Sequence, residues 1–423
     1  MSKIKIGLIG LGVVGTEVYN TLKNFPDVEI TGIAVKDTSK KRNIENFDYS
    51  ILTDKPQDII DNKENNVIVE LMGGVHPALE LLTSAIQNGK HVVTANKELL
   101  AKHGEELFAL SEKNNTVILY EAAIAGGIPI IMPIKTILAS NKITKIEAIL
   151  NGTTNYILTN MDVNKSSYDV VLKQAQNLGY AEANPTNDVE GLDSAYKLTT
   201  LATIAFNHRV KFQNVYHEGI TKIKSEDIKY ANELGYKIKL VAYATNDSGK
   251  IDIRVHPMFV SKKETLAHID YVTNAVTLEG FPIGKITLSG PGAGGLATAS
   301  SVVGDILSIE REYGTTDYIL PMMRCNHTHD GNSEIIPISE TENKYYLRLH
   351  TIDRIGGIAD ITKTFASKRI NIETILMKEI QSDNTSDIVI VTEKCKEKLI
   401  SEIEHELLQS GCIKELSSKI RIS

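Results

Sequence analysis

The sequence predicts an α/β protein in which a doubly wound parallel sheet is followed by an α+β region with a mixed sheet and by a C-terminal βαββαβ module. Three observations carry that expectation. A buried strand over 3–9 turns through Gly10, Gly12 and Gly15 into a helix. From there to about residue 135, short apolar runs alternate with helical patterns, which is how parallel sheets built of βαβ units read. Residues 344–423 then read strand, helix, strand, strand, helix, strand.

Composition narrows the function. A chain of 423 residues has room for two or three domains, each with its own core. At 42% hydrophobic and 23% charged residues it sits near the globular average, so neither disorder nor membrane residence is expected. The net charge of -7 argues against nucleic acid as a partner, because phosphate backbones attract basic surfaces. Cys325, Cys395 and Cys412 are few, odd in number and widely spaced, which fits a reducing cytoplasm. The N-terminus enters a strand without a signal-peptide pattern, and Lys135 interrupts the most apolar run, 124–138, so no membrane segment is expected.

The segment Gly10-Leu11-Gly12-Val13-Val14-Gly15 is a G-x-G-x-x-G loop placed straight after a strand, with a helix over 16–24 and a second strand over 29–35. Gly10 allows the tight turn, Gly12 lets backbone approach a pyrophosphate, and Gly15 lets helix pack on strand. This marks a Rossmann-like dinucleotide site. About twenty residues on stands Val35-Lys36-Asp37, where an NAD site would carry an acid for the ribose. Lys36, with Lys40, Lys41 and Arg42, suits a 2′-phosphate, so NADP is favoured over NAD, with Asp37 pointing the other way.

The pattern continues with a strand over 67–71, a helix starting at Pro77, and a strand over 91–94 that leads into Ala95-Asn96-Lys97. Lys97 therefore lies just past the carboxyl end of a parallel strand, where such sheets bind ligands. A last strand, 117–121, empties into AAIAGGIP, which reads equally in two ways: its carbonyls and Glu121 present hard oxygens suited to a hard cation rather than zinc, or its glycines only let the loop pass close to the cofactor. At 151–155 an Asn-Gly break places Thr153, Thr154 and Asn155 at a helix start. Strands near 238–245, 250–258 and 274–278 suggest the mixed sheet. Cys325, His327 and His329 stand close together, but no second ligand group follows at metal spacing.

The densest chemistry lies in GYAEANPTNDVEGLDSAYK, 179–197. Turn formers lead into a helix on which Asp193 and Lys197 share a face at i,i+4, and Glu182, Asp188 and Glu190 crowd the approach. The pattern A-x-x-x-G-Y-A-E-x-N-P-x-x-D-V-x-G-x-D-x-x-x-K over 175–197 closely resembles the signature of homoserine dehydrogenases, and VTANK, EAAIAGGIPII and NGTTNYIL match that family too.

The resemblance implies reduction of L-aspartate 4-semialdehyde to L-homoserine with NADPH, in threonine, methionine and isoleucine biosynthesis. It implies Lys197 as proton donor, Asp193 as its orienting group, Lys97 polarising the carbonyl or holding the carboxylate, and Glu182 and Asp188 on the substrate. It implies cofactor contacts at the glycine loop, Lys36, Lys97, Gly292 and Gly294, and a monovalent cation, Na+ or K+, at Glu121, Ile124, Gly126 and Ile128. The C-terminal module resembles an ACT domain, which implies an amino-acid effector, L-threonine by analogy, and a homodimer or homotetramer. Ile355 stands where such modules usually carry proline, which weakens the effector reading. The expected division is a nucleotide-binding domain over 1–135 completed by 296–318, a substrate domain over 136–295, a linker over 319–343 and the module over 344–423.

Overall fold

A computed structural model describes residues 3–312, 334–377 and 385–423, and these form two compact units. Cys325, His327 and His329 lie outside the described residues. The first unit comprises 3–152, 193–215 and 272–312; the second comprises 153–192, 216–271, 334–377 and 385–423.

The first unit is organised around a six-stranded parallel sheet. Its strands are β1 (Ile4–Ile9), β2 (Val28–Ala34), β3 (Leu52–Thr53), β4 (Val67–Glu70), β5 (His91–Thr94) and β6 (Ile118–Leu119), in the order β3-β2-β1-β4-β5-β6. Ile4, Ile6 and Leu8 of β1 and all of β4 and β5 are buried, the near-continuous burial that parallel strands covered on both faces require. The strand order reverses between β1 and β4, so a crevice opens beyond their carboxyl ends. There Gly10 adopts φ 106°, and a Cβ on it would lie 2.9 Å from the Leu71 backbone. Only glycine permits that approach.

The helix after the loop runs Val13–Leu22, starting earlier than the expected 16–24, because Gly12 is the N-cap and its carbonyl already accepts the Thr16 N–H at 2.9 Å. Pro77 likewise is the cap of the helix Ala78–Gln87 rather than its first residue. Late in the chain, Gly295–Glu312 returns to this sheet, where Ala299, Val302, Val303 and Ile306 share a core with Leu8, Val18 and Val69.

The same unit holds a three-stranded antiparallel sheet of Gly284–Pro291, Thr273–Phe281 and Lys142–Ile149. The first of these strands was not expected from the sequence. The helix Leu192–Phe206 is buried almost all round, Asp193 through Ala202 included, which marks it as a core helix.

The second unit has a six-stranded sheet in the order Tyr236–Asp247, Lys250–Ser261, Ile413–Ile422, Glu342–Ile352, Thr385–Thr392, Ile372–Met377. With the helices Gly357–Ser367 and Glu397–Gln409, its last four strands give the expected βαββαβ succession. Tyr345, Leu347 and Leu349, two apart on one strand face, pack in one core with Ile361, Phe365, Ile400 and Leu407 of those helices. The final strand pairs antiparallel with Glu342–Ile352 and, through Met258↔Arg421 and Phe259↔Ile422, parallel with Lys250–Ser261. The helix Ser225–Glu233 contributes Asp227, fully buried, which accepts from Arg348 Nε at 2.9 Å and from the Tyr346 hydroxyl at 3.0 Å.

Candidate active site

A chain of hydrogen bonds in the first unit sets Lys97. Glu70, buried at the end of β4, accepts from the N–H groups of Met72 (2.7 Å) and Gly73 (3.2 Å) with one oxygen and from the Thr94 hydroxyl (2.7 Å) with the other. The Thr94 oxygen accepts the Asn96 N–H at 3.0 Å. Asn96 then caps the helix Lys97–Lys113, accepting the Leu99 N–H at 3.1 Å, and donates to the Gly74 carbonyl at 2.7 Å. Lys97 is thus the first residue of a capped helix just past the carboxyl end of β5, and its Nζ forms an ion pair with Asp193 Oδ1.

Asp193 stands in the first turn of Leu192–Phe206. Its Oδ2 accepts from Lys197 Nζ at 2.8 Å, one turn on, and from Asn151 Nδ2 at 2.9 Å. Lys197 Nζ also donates to the Leu150 carbonyl at 2.7 Å. The Asp193 and Lys197 side chains are 4% and 9% exposed, whereas Lys97 is 43% exposed, so Lys97 is the member that faces solvent. Burial by itself would raise the Asp193 carboxyl, but the ammonium groups of Lys197 and Lys97 outweigh it and hold the carboxyl well below the usual range. One fixed anion therefore orients two cations, a group that can donate a proton to, and stabilise, a developing oxyanion.

The glycine loop borders a cleft of about 720 Å³ whose lining includes Gly10, Leu11, Gly12, Lys36, Asp37 and Arg42. A Cβ on Gly12 would meet nothing within 4 Å, while one on Gly15 would collide with the Gly10 carbonyl. Gly12 thus leaves an open cradle and Gly15 serves packing. Leu11 is buried in the core, Val14 packs against it, and Val13 is exposed. Arg42 reaches the loop directly: its guanidinium donates to the Leu11 carbonyl at 3.2 Å and to the Asp37 carbonyl at 2.7 Å. Lys36 is exposed. The Asp37 carboxylate turns back on its own loop, accepting from the Ser39 hydroxyl (2.6 Å) and N–H (2.9 Å) and from the Lys40 N–H (3.2 Å), bonds that lower its pKa. These residues fit a nicotinamide dinucleotide.

Gly292 is demanded by packing, since a Cβ there would overlap the Asn274 side chain, and Gly294 takes φ 108°. At Gly295 a Cβ would lie 2.9 Å from Val13, so this turn abuts the first helix of the loop.

Around the expected cation position, Glu121 is buried and accepts from the N–H groups of Ile130, Ile131 (2.8 Å) and Met132 (2.8 Å), at 2.5 Å for the first. Its own N–H donates to Asp305 Oδ2 at 2.9 Å, and Ser301 donates to the Gly126 carbonyl at 2.6 Å. Ile124 and Ile128 bury their side chains. Burial, then the neighbouring Glu121, raises the Asp305 carboxyl well above its ordinary value. Two of the four expected ligand positions, Glu121 and Gly126, already accept hydrogen bonds from protein donors. Among the described residues no three His, Cys, Asp or Glu side chains gather as a metal site.

Glu182 and Asp188 belong to the second unit. Glu182 is exposed, with its carbonyl accepting from Gln176 Nε2 at 3.1 Å, and Asp188 sits half-buried on the short helix Thr186–Val189. Among the expected residues, then, the structure brings together Lys97, Asp193 and Lys197. Sequence reasoning passed over Asn151, read only as a strand break, and the chain Glu70, Thr94, Asn96; Asn151 and Asn96 were signalled by their places in NGTTN and TANK.

Comparison with known proteins places the chain in a family. Residues 129–307 match the homoserine dehydrogenase family model, and residues 10–121 match the homoserine dehydrogenase NAD binding domain. The chain is 38% identical to the homoserine dehydrogenase of Neisseria gonorrhoeae, covering 100% of this chain and 99% of the relative, and 38% identical to that of Bacillus subtilis with the same coverage. A crystal structure of a homoserine dehydrogenase from Thiobacillus denitrificans superposes with a TM-score of 0.93 at 37% identity, covering 100% and 99% of the two chains. A hyperthermophilic archaeal homoserine dehydrogenase in complex with NADPH superposes with a TM-score of 0.63 at 26% identity, covering 72% of this chain and 97% of its own. With a dinucleotide loop and a lysine-flanked carboxylate in one unit, the chain belongs to the homoserine dehydrogenase family, oxidoreductases that act on a CH–OH group.

Proposed function

We propose that the chain interconverts L-aspartate 4-semialdehyde and L-homoserine in the cytoplasm, with NADP preferred to NAD. The observation that carries this reading is the buried Asp193 carboxylate held between the ammonium groups of Lys97 and Lys197. Gly10 and Gly12 would hold a reduced nicotinamide cofactor, which when bound would supply the hydride. Lys197, fixed by Asp193 and the Leu150 carbonyl, gives the proton that the growing alkoxide takes up. Lys97, on the solvent side, draws negative charge toward itself, either the aldehyde oxygen or the substrate carboxylate. Asp193 chooses their orientation and stays ionised throughout.

NADP preference rests on Arg42 and Lys36 in the cleft and on the inward turn of the Asp37 carboxylate, which leaves the basic groups to meet a 2′-phosphate. The archaeal relative described with NADPH agrees with that choice. The C-terminal module, ACT-like in its strand and helix succession, carries feedback control by L-threonine and helps pair chains into a dimer or tetramer. Spectrophotometric turnover of L-homoserine with NADP and with NAD, against a panel of other amino alcohols and amino acids, tests the proposal. A better substrate than homoserine in that panel, or a preference for NAD, would overturn the corresponding part.

A further inference from the structure

The second unit buries a network of charges to which the reaction gives no part. Arg421, near the end of the strand Ile413–Ile422, is 1% exposed and lies 5.2 Å from the centre of the Tyr216 ring. Its Nε donates to Glu397 Oε2 at 2.9 Å and its Nη1 to Glu218 Oε2 at 3.0 Å. Glu397, the first residue of the helix Glu397–Gln409, also accepts from the Tyr345 hydroxyl at 2.7 Å and from Lys419 Nζ at 2.9 Å. The Tyr216 hydroxyl donates to Glu218 Oε2 at 3.1 Å. A guanidinium taken out of water needs well-fixed anions around it. Glu397 anchors it to the βαββαβ elements, and its other arm holds Glu218.

Glu218 in turn belongs to a tight crossing of two backbone segments. Its own N–H donates to the Val255 carbonyl at 2.8 Å, and the Ile220 N–H donates to the Val189 carbonyl at 2.8 Å. Between them, Gly219 lies so close to the other segment that a Cβ would collide with the Val189 carbonyl and come within 2.6 Å of Glu190 Cα. A Cβ on Gly191, which takes φ 80°, would lie 3.3 Å from the Glu218 carbonyl oxygen. The Thr221 hydroxyl donates to Glu190 Oε1 at 3.2 Å. Backbones packed this closely leave no slack, so a shift of Glu218 moves 189–191 with it. Gly191 stands two residues before Asp193 in the chain.

We infer that Arg421 and Glu218 are positioning residues for the reaction. From the C-terminal strand they fix the turn Val189–Gly191, and through it the start of the helix that carries Asp193 and Lys197. The inference rests on the reading that this helix holds the chemistry. It gives the C-terminal module a part in every turnover, with or without an effector.

Steady-state oxidation of L-homoserine by the full chain, beside fluorescence titration of NADPH, tests this. Glu218→Ala, at a side chain 31% exposed, should fold and lower kcat by about 10- to 100-fold with NADPH affinity kept, the scale of loss that a small misplacement of a reacting group brings. Arg421→Met should do the same. Because the two act through one contact, the double variant should fall no further than the worse single one. Should Arg421→Met fail to fold, Glu218→Ala decides alone. Asp227→Asn, which weakens the same unit at Arg348 and Tyr346, should leave kcat nearly unchanged. More than half of wild-type kcat in Glu218→Ala, losses that multiply in the double variant, or an equal loss in Asp227→Asn would overturn the inference. A low kcat in Lys197→Ala beside a normal one in Glu218→Ala sinks this inference alone, whereas a normal kcat in Lys197→Ala sinks the reading of the helix.

Discussion

Replacing Asp193 with asparagine preserves side-chain shape and deletes the charge that two lysines share. The carboxylate is 4% exposed and accepts from Lys197 at 2.8 Å and Asn151 at 2.9 Å besides pairing with Lys97. Removing one partner of a buried pair costs about 3–5 kcal/mol. Lys97 is 43% exposed, so water screens much of its share, and the low end, about 3 kcal/mol, is expected. The folded carboxyl is held below its ordinary value, so its contribution is complete above the unfolded value, about pH 4, and is lost as pH falls through the folded one.

Urea unfolding of wild type and Asp193→Asn, followed by circular dichroism at several pH values, should give a gap of about 3 kcal/mol at pH 7. The gap should persist to about pH 4 and close below it. As a positioning residue, Asp193 should also show a split in kinetics: kcat lower by about 10²–10⁴-fold with cofactor affinity kept. A gap under about 1 kcal/mol, or one independent of pH, would refute the electrostatic argument, and more than half of wild-type kcat would refute the mechanistic one.

Lys197→Ala should lower kcat by about 10²–10⁴-fold with little change in NADPH affinity, measured by fluorescence titration; loss of NADPH binding instead would place this lysine on the cofactor. Arg42→Ala and Lys36→Ala should each weaken NADPH by about 1.5–3 kcal/mol and NADH hardly at all, and equal losses for both cofactors would remove the 2′-phosphate assignment. Gly12→Ala should leave the thermal midpoint of the free chain unchanged, because its Cβ meets no atom, yet weaken cofactor binding at least about tenfold. Asp227→Asn should destabilise the second unit by about 3 kcal/mol in urea unfolding, the low end for a buried pair, since it strips the buried Arg348 of its nearer anion and leaves only Asp387 at 3.4 Å.

The parts of the site that depend on neighbours in sequence were legible before any coordinates. The Gly10 turn, the capped lysine after TAN and the i,i+4 pair Asp193 and Lys197 are local motifs with fixed spacings. What stayed hidden needs partners far along the chain. Asn151 reaches Asp193 across 42 residues, Asp305 meets the Glu121 N–H across 184, and Arg42 bends back to Leu11 across 31. No local pattern encodes such meetings, because tertiary packing alone decides them. The strand Gly284–Pro291 was missed for a related reason: only its pairing with Thr273–Phe281, as in the Thr277 and Thr287 hydroxyls at 2.9 Å, makes it a strand. Helix ends moved where caps, not periodicity, set them, as at Gly12 and Pro77.

The last ten-residue strand, Ile413–Ile422, lends its backbone to two neighbours at once, Glu342–Ile352 on one flank and Lys250–Ser261 on the other. A stop codon ahead of Ile413 would therefore do more than delete a terminal strand. It would unzip the middle of a sheet and leave two bare edges ready to recruit strands from other chains, so aggregation rather than deregulated activity is the outcome to expect from such a truncation.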